Sequence, residues 1–99
     1  MADSFRYTVR VELHDADDDD YEDLHAYMEK EGFVRYLSLE GGTKLQLPTA
    51  EYSTYSNKGK DGVLAKAKAA ATNTGKKFMV LVTQSADRAW SNLPEWKSK

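Results

Sequence analysis

Apolar and polar positions alternate most strictly over residues 5–14. Phe5, Tyr7, Val9, Val11 and Leu13 fall on one side; Arg6, Thr8, Arg10, Glu12 and His14 fall on the other. A period of two predicts a strand with one buried and one polar face. Apolar runs further on supply partners for it, which predicts a first and central strand. Residues 21–31 change to helical spacing, with Tyr21, Leu24 and Met28 on one side and Glu22, Asp23, Glu29 and Lys30 toward water. Gly32 supplies a left-handed stop, and Phe33 follows where a Schellman closure places an apolar contact. Residues 33–39 are rich in aromatic and aliphatic side chains and predict a second strand. Gly41 and Gly42 mark a turn. Alternation resumes over 44–55 as a third strand, with a defect at Pro48 because proline cannot donate to a ladder.

Asp61 is a fair N-cap for a second helix over about 62–73. Val63, Leu64, Ala67, Ala70 and Ala71 form its narrow inner face, and the alanines allow close approach to a sheet. Residues 76–83 predict a fourth strand. Phe78, Val80 and Val82 lie on one face and Met79 and Leu81 on the other, so both faces are expected to be covered. The tail, 84–99, carries Trp90, Leu93 and Trp96 and is expected to pack. Strand, helix, strand, strand, helix, strand predicts an α+β, ferredoxin-like βαββαβ sandwich. Its four-stranded antiparallel sheet carries two helices on one face, with strands one and three in the middle. The 99 residues make one domain, with a core over about 5–83. An edge strand apolar on both faces calls for a covering tail or a dimer partner.

Composition narrows the chemistry. With no cysteine, the chain has no disulfide, thiolate metal site or cysteine nucleophile. No apolar run approaches the roughly 18 residues of a membrane span, and the first residues lack the basic and apolar regions of a signal peptide. A cytoplasmic protein is expected. Charge is uneven: residues 1–31 hold eleven acids and three bases, residues 32–99 five acids and eleven bases. Such asymmetry either makes a dipolar surface, suited to nucleic acid or self-association, or mixes on folding.

The alternating aspartates at 15, 17 and 19 are spaced like calcium ligands, but Asp20 stands where a calcium loop needs glycine and Ala26 where it needs glutamate. A solvated, helix-capping loop is favoured over a divalent ion at Asp15 or Asp17. His14 and His25 could each serve as a general base or ligand, though no spacing pairs either with a nucleophile. On the polar sheet face, Arg6, Thr8 and Arg10 lie in line, with Tyr36 or Arg35 and Tyr52 available from neighbouring strands. Rings that stack bases and cations that meet phosphates suit single-stranded RNA, yet the aromatic RNA-recognition signature is missing from the third strand. Burial against another subunit is the commoner use of such a face. No nucleophile–base triad, phosphate-cradling glycine loop or zinc motif is present.

The runs Tyr7-Thr-Val-Arg-Val-Glu-Leu-His14, Asp20-Tyr-Glu-Asp-Leu-His25 and Met28-Glu-Lys-Glu-Gly-Phe33 resemble the family of the GhoS-type endoribonuclease antitoxin. Leu47-Pro-Thr-Ala-Glu-Tyr52 and Gly75-Lys-Lys-Phe-Met-Val-Leu-Val82 resemble the same family further along, so the likeness spans about residues 5–90. It implies a ferredoxin-like fold related to that of the CRISPR adaptation nucleases. It further implies an antitoxin that cuts the messenger of a small membrane toxin. An acid near the end of strand one, Asp15 or Asp17, and basic residues on the first strand and helix carry over. The expectation is a homodimeric, RNA-binding protein with Arg10, His14 and Asp15 as catalytic residues. Arg6, Lys66, Lys68, Lys76 and Lys77 are the expected RNA contacts, and no cofactor is required. The rival expectation is a non-catalytic module that binds a protein partner or a second copy. Its acidic third would mimic nucleic acid, as phage-encoded or host regulators of defence systems do.

Overall fold

The first strand, β1 (Phe5–Leu13), is the centre of the sheet in the computed structural model, which describes residues 4–86 and 89–97. It is followed by α1 (Asp18–Lys30), a short hairpin of β2 (Tyr36–Ser38) and β3 (Lys44–Gln46), β4 (Glu51–Ser56), α2 (Gly59–Thr72) and β5 (Phe78–Gln84). Strand order in the main sheet is β4-β1-β5, all antiparallel, and β2 and β3 form a separate two-stranded sheet. The result is an α+β fold with two helices, a three-stranded sheet and a hairpin. Among the described residues no helix is long and apolar enough to cross a membrane.

The alternation of β1 decides which side is the core. Tyr7, Val9 and Val11 are buried, together with Leu24 and Met28 of α1, Tyr52 of β4, and Val63, Ala67, Ala70 and Ala71 of α2. Leu13, Phe78, Val80 and Val82 pack against this cluster at its margin. Both helices therefore lie on one face of the sheet, and the alanines of α2 bring that helix close, as expected.

The local boundaries differ from expectation for physical reasons. Helix α1 begins three residues early because the aspartates belong to it. Asp17 Oδ1 accepts from the Asp20 amide at 3.0 Å and Asp20 Oδ2 from the Asp17 amide at 3.1 Å. This capping box places Asp18, Asp19 and Asp20 in the first turn, against the positive end of the helix dipole. Its far end closes as anticipated: Gly32, at φ +90°, donates to Glu29 and Phe33 to Met28, both at 3.0 Å. Helix α2 also starts early, at Gly59, so Asp61 lies in its first turn and is not the cap.

The expected second and third strands are broken. Of 33–39 only Tyr36–Ser38 is strand, with a separate bridge from Val34 to Ser53. Pro48 ends β3 instead of bulging it; its carbonyl accepts from Glu51 at 2.9 Å in a turn that starts β4 afresh. The four-stranded sheet is thus three strands plus one bridge to the hairpin arm. Among the described residues the tail packs on the hairpin arm, while Trp90, also expected to pack, stays 46% exposed. Glu95 bridges Leu45, and Trp96 donates to the Lys44 carbonyl at 2.8 Å, so the tail extends the hairpin sheet. Trp96 rests 5.5 Å from Tyr36 and 5.5 Å from the Arg35 guanidinium. Met79 and Leu81, expected to be covered, are 69% and 63% exposed.

Candidate nucleic-acid interface

The outer face of the main sheet follows from register. Partners across antiparallel strands share a face, so Arg6 stands beside Tyr55, Thr8 between Ser53 and Thr83, and Arg10 between Glu51 and Leu81. Glu12 faces Met79. The next position along, His14, is opposite Lys77: the His14 amide donates to the Lys77 carbonyl at 2.8 Å.

At one end of this face, Arg6 Nε donates to the Tyr55 hydroxyl at 3.1 Å, and its guanidinium lies 5.3 Å from the ring centroid. A depression of about 270 Å³ opens beside them, lined by Arg6, Tyr36, Leu37, Ser53 and Tyr55 among others. In mid-face Arg10 is clamped. Its guanidinium reaches Glu12 Oε1 at 2.6 Å and Glu51 Oε2 at 3.1 Å. Bonding and charge from Glu12 first, then Glu51, hold its proton more firmly than usual. Two acids around one base leave the middle of the face without net positive charge.

The opposite end carries the best-assembled chemistry. Three polar contacts fix the backbone there: Leu13 donates to the Tyr21 hydroxyl at 3.0 Å, His14 bonds Lys77, and Lys76 Nζ donates to the Asp15 carbonyl at 3.3 Å. Asp15 itself sits in the left-handed region, at φ +53°, which a short polar side chain tolerates better than most. The chain thereby turns so that Asp15 Oδ2 lies 3.3 Å from His14 Nε2, with both side chains largely open to solvent. An open depression beside them is lined by Glu12, Leu13, His14, Lys77, Phe78 and Met79. Lys76 also stands 3.6 Å from Asp20. The Asp17 amide first, then the Lys76 charge, holds the Asp20 carboxyl below its ordinary range.

Of the eight expected site residues, His14, Asp15, Lys76 and Lys77 thus come together. Arg6 is at the other end of β1, roughly 26 Å away by the rise of an extended strand, and Arg10 lies about halfway. Lys66 and Lys68 are exposed on α2, which covers the opposite face of the sheet. Asp17, an alternative acid, has its carboxylate engaged in the cap of α1. Among the described residues no group of three or more His, Asp or Glu side chains converges on a point where a metal ion could sit.

His25 is not at this surface. It is buried, with Nδ1 2.6 Å from the Tyr52 hydroxyl and the two rings edge to face at 5.6 Å. Tyr52, expected on the polar face, points into the core because β4 restarts after Pro48 and its alternation is reset. Tyr55 takes the outward place. Alternation counted from Glu51 alone would have found it. The buried Arg35 Nε finds no hydrogen-bond partner among the described residues, and its guanidinium lies beside the Trp96 ring.

Compared with protein-family models, with curated proteins and with solved structures, the chain matches none of them.

Proposed function

We propose that the chain binds single-stranded RNA along the outer face of its sheet and cuts it at the His14 end, in the manner of a GhoS-type antitoxin. The observation that carries this reading is the grouping of His14, Asp15 and Lys77 at one exposed strand end, in line with the Arg6–Tyr55 pair at the other. Cutting RNA without a metal needs a base to take the 2′-hydroxyl proton, an acid to return a proton to the departing 5′-oxygen, and a cation near the phosphorus. His14 takes and returns the proton, Asp15 orients its ring, and Lys77 faces the charge that builds on the phosphoryl oxygens. Tyr55 offers a stacking surface and Arg6 a phosphate contact. Connectivity also supports the ferredoxin-like reading: order β4-β1-β5, with the hairpin arm bridged to β4 at Val34–Ser53, is the order that such a fold would keep if its second strand were shortened.

The test is binding and cleavage of a fluorescein-labelled single-stranded oligoribonucleotide by the purified chain. Binding should weaken with salt at a log–log slope of about −0.7 for each phosphate contact. Lys77→Ala should flatten the slope by roughly one contact. His14→Ala should abolish cutting, whereas Arg10→Ala should spare it, since Glu12 and Glu51 already hold that charge. Cutting that survives His14→Ala, or no binding at low salt, overturns the reading.

A second reading has its own observation. The neutralised middle of the face, next to exposed Met79 and Leu81, is what a protein-binding module presents. Such a module would show no salt-dependent RNA binding.

A further inference from the structure

We propose that two copies of the chain pair through the free edge of β5, joining their sheets into one continuous six-stranded sheet across a two-fold axis at Leu81. This goes beyond the RNA reading and stands or falls without it. The argument begins with edges. A strand whose outer edge is unpaired is a template for another strand, and soluble proteins blunt it with lysine, proline, a bulge or a covering segment. Here the tail covers the edge of β3 and the hairpin arm bridges β4. β5 pairs with β1 alone among the described residues. Its seven residues, Phe-Met-Val-Leu-Val-Thr-Gln, carry no charge and no proline. This is the composition of a strand made to be paired on both sides.

Register shows that the fitting occupant is a second β5. His14 donates to the Lys77 carbonyl and Ser85 to the Arg6 carbonyl, so odd-numbered residues of β5 bond inward to β1. By alternation Phe78, Val80, Val82 and Gln84 present their amides and carbonyls to the free edge. An antiparallel copy centred on Leu81 sets Val80 opposite Val82 of the second copy and Phe78 opposite its Gln84. All four edge residues of each strand are then bonded, giving about eight inter-chain hydrogen bonds. On the outer face Leu81 meets the second copy's Leu81 in a close, non-bonded pair, with Met79 against the second copy's Thr83. The half-buried Val80 and Val82 close the inner face beside α2. Charge agrees: Lys77 falls opposite Ser85 of the second copy, so no lysine confronts a lysine. The exposed Met79 and Leu81, uncovered by the tail, become the centre of the seam.

The absence of cysteine makes a direct test available. In sedimentation equilibrium the chain should have twice its 11.2 kDa mass, and Leu81→Lys, which sets two like charges face to face, should weaken the dimer ~100-fold. Circular dichroism shows whether that variant stays folded. Independently, Leu81→Cys should oxidise to a covalent dimer, because Leu81 faces itself. Thr83→Cys should not, since its own copy lies about 13 Å along the strand, beyond the ~7 Å reach of a disulfide. Thr83→Cys should instead cross-link to Met79→Cys when the two are mixed. A wild-type monomer at ~100 µM overturns the proposal. So does a folded Leu81→Lys dimer of unchanged strength, or Thr83→Cys cross-linking as readily as Leu81→Cys.

Discussion

The closeness of α2 to the sheet makes a sharp demand on Ala67. The side chain has no exposed surface, and Ala70 and Ala71 beside it have essentially none. Ala67→Leu adds three carbon atoms where there is no free volume, so α2 must lift or neighbouring side chains must leave their rotamers. Such overpacking destabilises by about 1–3 kcal/mol, after whatever the extra apolar burial returns. For a domain of this size each kcal/mol lowers the melting temperature by about 4–8 °C, so about 2 kcal/mol predicts a fall of about 8–16 °C. The assay is thermal unfolding followed by circular dichroism. Ala69→Leu is the control: Ala69 is exposed on the same helix, leucine is nearly as good a helix former, and the change should stay within about 0.5 kcal/mol. If the two variants melt together, α2 does not sit on the sheet through its alanines and the packing argument fails.

Tyr52→Phe removes the hydroxyl 2.6 Å from His25 Nδ1, and a loss of about 1 kcal/mol, up to about 3, should appear in urea unfolding. Burial also pushes the Tyr52 phenol above its ordinary 10.0. Unfolded, the group sheds its proton from about pH 10; folded, it keeps it. The wild type should therefore lose stability as pH rises beyond 10, by up to about 1.4 kcal/mol per pH unit, while Tyr52→Phe loses less; parallel curves would refute this. Asp17→Ala should lose about 1 kcal/mol through the broken capping box, with Asp17→Asn retaining most of it. Equal stability of the two Asp17 variants would show that the cap bond is not the source.

What was legible in the chain was what neighbours in sequence decide. The alternation of 5–14, the glycine stop at 32 and the alanine stripe of α2 are local patterns, and each took its expected place. Tertiary partners decided the rest. Pro48 announces only a missing donor; whether a strand bulges or ends there depends on how the hairpin arm reaches β4. Five aspartates near one another look repulsive until a helix N-terminus is placed under them. Alternation turns Arg10 outward but is silent about Glu51, which arrives opposite it only through the β1–β4 register. In the same way His14 meets Lys77 only because β5 pairs with β1. The tail was destined to pack somewhere by its tryptophans, but its choice of β3 over β5 is set by Tyr36 and Arg35, which Trp96 needs beside it.

The position of β1 also governs how the chain can acquire its shape during synthesis. β1 is made before both strands it pairs with: Tyr7 faces Thr54 on one side and Gln84 on the other. A nascent chain that has reached only α2 leaves β1 with one neighbour. The half-finished core over Val9 and Val11 is then open along that side. Such non-local pairing slows folding, because a long loop must close before its contacts form. The protein is therefore expected to collapse into its native form only once residues 78–84 are free to move. Until then, the apolar rows of β1 and β5 are the segments most in need of a chaperone.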